Sequence, residues 1–204
     1  MGGKCTPFLL ILPKKLMHYN YSKIEPIYKY YLVYGFNHSL QKVADAVQIT
    51  KKTLFNRYIS KENLELCLVE YWQTKSNERM EQRMEFSNNA VEKLMMFLYE
   101  LQYCKNHESF FFQKTKEFFL EKFVQNSPHV TQLEAIFKMG VEEELFRFDS
   151  DPKVFAYFFL FNTLFLLLSD NLIYTEFIFF LFEPILTETG KTVYKDIDIE
   201  QVFR

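Results

Sequence analysis

The sequence predicts an all-α protein: an N-terminal three-helix helix-turn-helix head followed by a larger helical body. Three observations carry this. Turn formers are scarce, with only five Gly and six Pro in 204 residues, too few to punctuate many short strands. Apolar residues recur at helical spacing over long segments. Charge is also divided. Lys14 to Lys61 holds nine Lys/Arg against two Asp/Glu, a net of +7, whereas Glu62 to Arg204 holds fourteen against twenty-four, a net of −10. The overall charge of −2 hides this split. A basic head on an acidic body suggests that one end meets a polyanion and the other does not.

The elements follow in order. Residues 1–20 read as a leader without regular structure. Its apolar run, Phe8 to Leu12, is too short for a signal-peptide core. Gly2 and Thr6 match the loose myristoylation pattern, and Met17 is an alternative start. A first helix runs from Ser22 or Glu25 to Tyr34, with Pro26 in its first turn and Gly35 at its end. Ser39 caps a short helix, Leu40 to Val47, on which Leu40, Val43, Ala44 and Val47 share one face. After a tight connection, Thr50 caps a second short helix, Lys51 to Tyr58. Ser60 caps a longer helix running from Asn63 to about Arg83. Two short helices joined by a turn of three or four residues make a helix-turn-helix. The head is placed at 21–66 and the body at 67–204.

On the second short helix, Leu54 and Tyr58 are four apart and point inward. Lys51, Lys52, Thr53, Asn56 and Arg57 are left facing solvent, and no acid lies between Asp45 and Glu62. Such a face suits the DNA major groove. Lys and Arg hydrogen-bond guanine edges, Asn pairs with adenine, and all of them meet phosphates.

The segment Gly35-Phe36, Ser39, Val43-Ala44, Ile49-Thr50, Thr53-Leu54-Phe55, Tyr58 and Ser60-Lys61-Glu62-Asn63-Leu64 resembles the DNA-binding domain of the tetracycline-repressor (TetR) family of bacterial regulators. Together with the helix that ends at Gly35, the match covers about forty residues and keeps its spacing outside one loop. It departs at Gln48, where the family has a turn glycine, and at Phe55, where a phosphate-binding tyrosine is usual. The loop from Gly35 to Ser39 is one residue short. The resemblance implies a homodimer on a palindromic double-stranded DNA operator. The DNA contacts would come from Ser39, Thr50, Lys51, Lys52, Thr53, Phe55, Asn56, Arg57 and Lys61. Lys61 matches the lysine that touches the backbone where the fourth helix begins, and a helix N-terminus adds its own attraction for phosphate.

The body reads as five helices, roughly 87–104, 108–126, 128–145, 152–169 and 172–188. Met139 to Pro152 resembles a family segment that ends in Gly-x-x-x-Gly-x-Phe-Arg. Gly140, Phe146 and Arg147 match it, and Glu144 stands at the second glycine. Val154 to Ser169 is sixteen uncharged residues, apolar on all sides. A membrane span needs about 20, so a second copy of the chain is the expected cover. In the family the last two helices form a four-helix bundle with those of the partner. That assigns Phe158, Phe161, Phe165, Phe179 and Phe182 to dimerisation. The family also encloses an effector pocket in the body, with Phe97, Tyr103, Phe111, Phe119 and Phe137 as candidate lining for a small apolar or aromatic ligand. Ligand binding would weaken operator affinity, the behaviour of a repressor.

Other chemistries find little support. Cys5, Cys67 and Cys104 are scattered, as free thiols in a reducing cytoplasm would be. His18, His38, His107 and His129 show no metal-ligand spacing. There is no Gly-rich phosphate loop and no nucleophile elbow. The run Val141 to Leu145 reads as a solvated carboxylate face. The expectation is a cytoplasmic regulator, with no catalysis, cofactor, metal or membrane. The alternative is a protein-interaction module of TetR-like fold that has no working ligand sensor.

Overall fold

The structure, a computed structural model, describes residues 24–114, 127–167, 181 and 183–197. In chain order these form α1 (Glu25–Tyr34), α2 (Leu40–Ala46), α3 (Lys51–Tyr58), α4 (Lys61–Met84) and α5 (Ala90–His107). A helical stretch at 109–114 follows. Then come α6 (Pro128–Glu142), α7 (Pro152–Leu167), a 3-10 turn (Glu183–Ile185) and α8 (Glu188–Asp196). Among the described residues β-pairing is confined to an isolated antiparallel bridge between Phe146 and Leu186. The chain is all-α, as its composition predicts.

Most of the helices start where side chains can satisfy their first amides, while α1 and α6 carry a proline in their first turn and have no side-chain cap. Ser39, Thr50 and Ser60 accept from the amides of Lys42, Thr53 and Asn63. Asn89 accepts from the Glu92 amide, while Glu92 accepts from the Asn89 side chain and the Asn88 amide. This reciprocal cap places the start of α5 at Ala90, three residues later than the sequence reading. Helix α6 stops at Glu142 rather than 145. Glu144 takes φ 58, and the amides of Leu145 and Phe146 turn back to the Gly140 carbonyl.

The helix expected over 172–188 lies mostly outside the described residues, and its end is corrected. Pro184 sits in a single 3-10 turn, because proline has no amide to continue a helix. Leu186 pairs with Phe146, and Thr187 caps a separate helix, α8. The Arg147 amide donates to the Ile185 carbonyl (2.7 Å) and the Thr187 amide to that of Leu145 (3.0 Å). Gly140 makes room for this turn: a Cβ there would lie 2.0 Å from the Phe146 ring.

Head and body share one apolar core. Tyr28 and Tyr31 of α1, Val43 and Ala44 of α2, Leu54 and Tyr58 of α3, and Leu64 and Leu68 of α4 are all buried in it. Phe111 joins the two parts. Its ring lies 5.0 Å from those of Tyr28 and Phe36 and stacks on Trp72 at 6.3 Å. Gly35, at φ 70, lets Phe110 approach so closely that a Cβ would meet its ring at 2.9 Å. Tyr71 donates to Glu25, and Lys114 pairs with Glu65 at 3.3 Å.

A partly buried charge network fastens α4 to α5 and to Glu108 just after it. Arg79 meets Glu100 at 2.8 Å and Glu108 at 2.9 Å, and Arg83 meets Glu100 at 3.3 Å. The Trp72 indole donates to Glu108 at 2.5 Å. Cys104 lies among these groups, and burial raises its thiol pKa well above the usual range, so it stays protonated at neutral pH. Cys67 is also buried, and neither forms a disulfide.

Candidate nucleic-acid interface

The candidate interface is built by α2, the connection after it, and α3. Val43 and Ala44 anchor α2 to the core, and Leu54 and Tyr58 anchor α3. The connection closes when the Ile49 amide donates to the Ala44 carbonyl at 2.9 Å, with Gln48 at φ 58. This is the position of the missing glycine, so the left-handed backbone is kept and a glutamine bears it.

Anchoring Leu54 and Tyr58 turns the opposite side of α3 outward. Lys51, Lys52, Asn56 and Arg57 are exposed, and Phe55 is 52% exposed. Among the described residues no carboxylate pairs with Lys51, Lys52 or Arg57, so their charge is open to an external anion. Thr53 is half-buried, and its hydroxyl bonds that of Thr50 at 2.8 Å. Ser39 and Thr50 use their side-chain oxygens as caps. A hydroxyl that accepts an amide can still donate its own proton to a phosphate.

Lys61 opens α4 and is half-buried, with Nζ 3.5 Å from Glu65 Oε1. An ammonium has three donors, so this pair leaves capacity for a phosphate. Sequence reasoning did not anticipate the pairing, although Lys61 and Glu65 are spaced for it. The amide at the helix start and the Ser60 hydroxyl hold the neighbouring Glu62 carboxyl below its usual range, so it stays ionised.

The other candidates are dispersed. Phe97 is fully buried and edge-on to His129, at 6.0 Å. Phe111 lies in the head–body joint. Phe137 is surrounded by Phe146, Phe148, Phe155 and Phe159. Tyr103 is half-buried beneath the guanidinium groups of Arg79 and Arg83. Phe119 lies outside the described residues. An open groove of about 320 Å³ between α4, α5 and α6 has a floor of Met84, Ile136 and Met139, and none of these aromatic residues lines it.

Helix α7 buries Ala156, Phe159, Leu160, Thr163 and Leu167. Its other side exposes Val154 (62%), Phe158 (58%), Phe161 (47%) and Phe165 (61%). Phe179 and Phe182 lie outside the described residues. No described helix is long and apolar enough to cross a membrane. Among the described residues no group of three or more His, Cys, Asp or Glu is placed to hold a metal ion.

No protein-family model matches the sequence, and no characterised protein matches it by sequence. Solved structures do match the fold. A TetR-family transcriptional regulator from Agrobacterium tumefaciens superposes with a TM-score of 0.61 at 15% identity, over 82% of this chain and 99% of that one. A gamma-butyrolactone receptor (ArpA like protein) gives 0.63 at 13% identity, over 90% and 96%. The ketosteroid transcriptional regulator KstR2 of Mycobacterium tuberculosis gives 0.56 at 15% identity, over 84% and 98%. At these identities the likeness establishes the fold, a helix-turn-helix head on a helical body.

Proposed function

We propose that this chain, which has the TetR-type fold, is a transcriptional regulator: a cytoplasmic homodimer that grips a palindromic operator through its two heads. One observation carries the reading. The outward face of α3 bears Lys51, Lys52, Asn56 and Arg57, with no acid and, among the described residues, no ion pair, on a helix-turn-helix whose two short helices are both N-capped by side chains. Phosphates would meet the cations, and Asn56 and Arg57 carry donors suited to base edges.

The apolar stripe on α7 supports the dimer, because two-fold symmetry then presents two recognition helices to two half-sites. The fold is shared with a gamma-butyrolactone receptor and a ketosteroid regulator, which favours control by a small molecule over catalysis. In this reading the ligand releases the operator by binding one spacing of the heads better than the other.

Fluorescence anisotropy tests the reading directly. Purified protein is titrated into labelled DNA from upstream of its own gene, beside scrambled DNA, at two salt concentrations. Selective binding that weakens with salt is expected. Equal, weak binding to both DNAs overturns operator recognition. That result favours an interaction module, for which Phe55, without a hydroxyl to donate, is the supporting observation.

A further inference from the structure

We propose that the groove between α4, α5 and α6 binds a small amphipathic amine. Its ammonium would sit on Glu81, and its apolar body would lie along Met84, Ala135, Ile136 and Met139. The groove holds about 320 Å³, the small end of the range for small-molecule sites. Its floor is apolar. Its charged lining is two carboxylates, Glu81 and Glu85, against one ammonium, Lys93. That balance favours a cation over an anion.

Two amides sharpen the choice. Asn77 Nδ2 on α4 donates to Glu81 Oε1 at 2.9 Å, and Gln132 Nε2 on α6 donates to the same oxygen at 3.4 Å. Their own carbonyl oxygens, Asn77 Oδ1 and Gln132 Oε1, are buried and accept no hydrogen bond from the protein. Buried polar atoms in folded proteins are nearly always bonded. Here two orphans belong to the two amides that converge on one carboxylate beside a groove. Through their nitrogens both amides hold Glu81 by one carboxylate oxygen, which fixes the charge at the groove's edge.

A primary ammonium brings three N–H donors, and the Glu81 and Glu85 carboxylates at the groove's edge can accept them. A neutral hydrocarbon would leave both carboxylates without a counter-charge, and a carboxylate would face Glu81 and Glu85. A bare cation would have no use for the apolar floor. The binding site stands without DNA; that its occupant is the effector rests on the operator-binding reading.

The test is isothermal titration calorimetry of the full chain without DNA, using octylamine, octan-1-ol and octanoate at neutral pH. Octylamine is expected to bind about 10-fold more tightly than octanol, as a charge-assisted contact should, and octanoate more weakly still. Glu81→Gln should remove the preference for the amine and leave octanol unchanged. Gln132→Leu should weaken the amine several-fold without altering octanol. Glu81 is exposed, so its variant should fold, and circular dichroism checks this. Equal affinity for all three probes, no binding of any probe, or an undiminished amine affinity in Glu81→Gln overturns the site. A change in DNA affinity on adding the amine bears on the regulator reading alone.

Discussion

Three side chains carry backbone that glycine would carry more easily. Gln48 and Glu144 take φ 58, and both stand where the family has glycine. Ile59 is the most strained. Its φ of 67 and ψ of −45, with the Ser60 amide bonded to the Tyr58 carbonyl at 2.7 Å, make a positive-φ γ-turn centred on a β-branched residue. Such strain costs about 1–3 kcal/mol, and the extra chain entropy of glycine costs about 0.5–1. Ile59 is 65% exposed, so little packing is at stake. Ile59→Gly should therefore stabilise the protein by about 1 kcal/mol and raise Tm by about 3 °C. An unchanged or lower Tm by calorimetry would show that the turn is not strained.

His129 acts in the opposite direction. It is fully buried, its Nε2 has no partner, and burial lowers its pKa to about 4. The unfolded chain takes up a proton near the usual imidazole pKa of about 6.5, whereas the native state refuses it until about 4. Stability from this group is therefore complete above about 6.5 and is lost as pH falls, by about 2 kcal/mol at pH 5. His129→Phe should show a smaller difference in urea midpoint between pH 7 and pH 5 than the parent. Equal differences would remove the assignment. On the recognition face, Lys51→Ala or Arg57→Ala should weaken operator binding about 10-fold with unchanged circular dichroism. Unchanged affinity in both would remove the face.

At the scale of elements, the sequence was most legible where a cap and an apolar period agreed. Helix α3 is bounded by Thr50 and carries Leu54 and Tyr58 inward, so its ends and its faces were readable together. Helix α8, capped by Thr187, was not legible, because the apolar run ahead of it concealed the break at Pro184. The aromatic body was less legible for a different reason. A Phe at helical spacing is the same sign whether it fills a core or lines a cavity, and Phe97, Phe111 and Phe137 fill the core. The groove left no such sign, because Asn77, Glu81 and Gln132 come from two helices and only their packing brings them together.

Helix α7 is apolar all round, and the chain buries only part of that surface. One face is covered by the chain itself, and the stripe Val154, Phe158, Phe161 and Phe165 is left open. If a second copy covers it, a charge there should separate the copies without unfolding either. Phe158→Glu should weaken self-association about 100-fold, near 3 kcal/mol, in sedimentation velocity, with unchanged helicity. A dimer as tight as the parent's would place the interface elsewhere.

For the whole molecule, the division of charge matters more than its sum. The acidic body should be repelled by DNA, so attraction comes from the heads, and a dimer presents two. With Lys51, Lys52, Arg57 and Lys61 each neutralising one phosphate, a head makes about four contacts and a dimer about eight. The slope of log affinity against log salt should then be about −7 for the dimer. Lys61→Ala removes one contact from each head and should flatten the slope by about 2 while weakening all sequences alike. Phe158→Glu should bring the slope toward half by leaving one head at a time on the DNA. These effects separate the two levels: Lys61→Ala changes the charge at a contact, and Phe158→Glu changes how many heads act together. If the slope is unaltered in both variants, the basic head is not where this protein meets DNA.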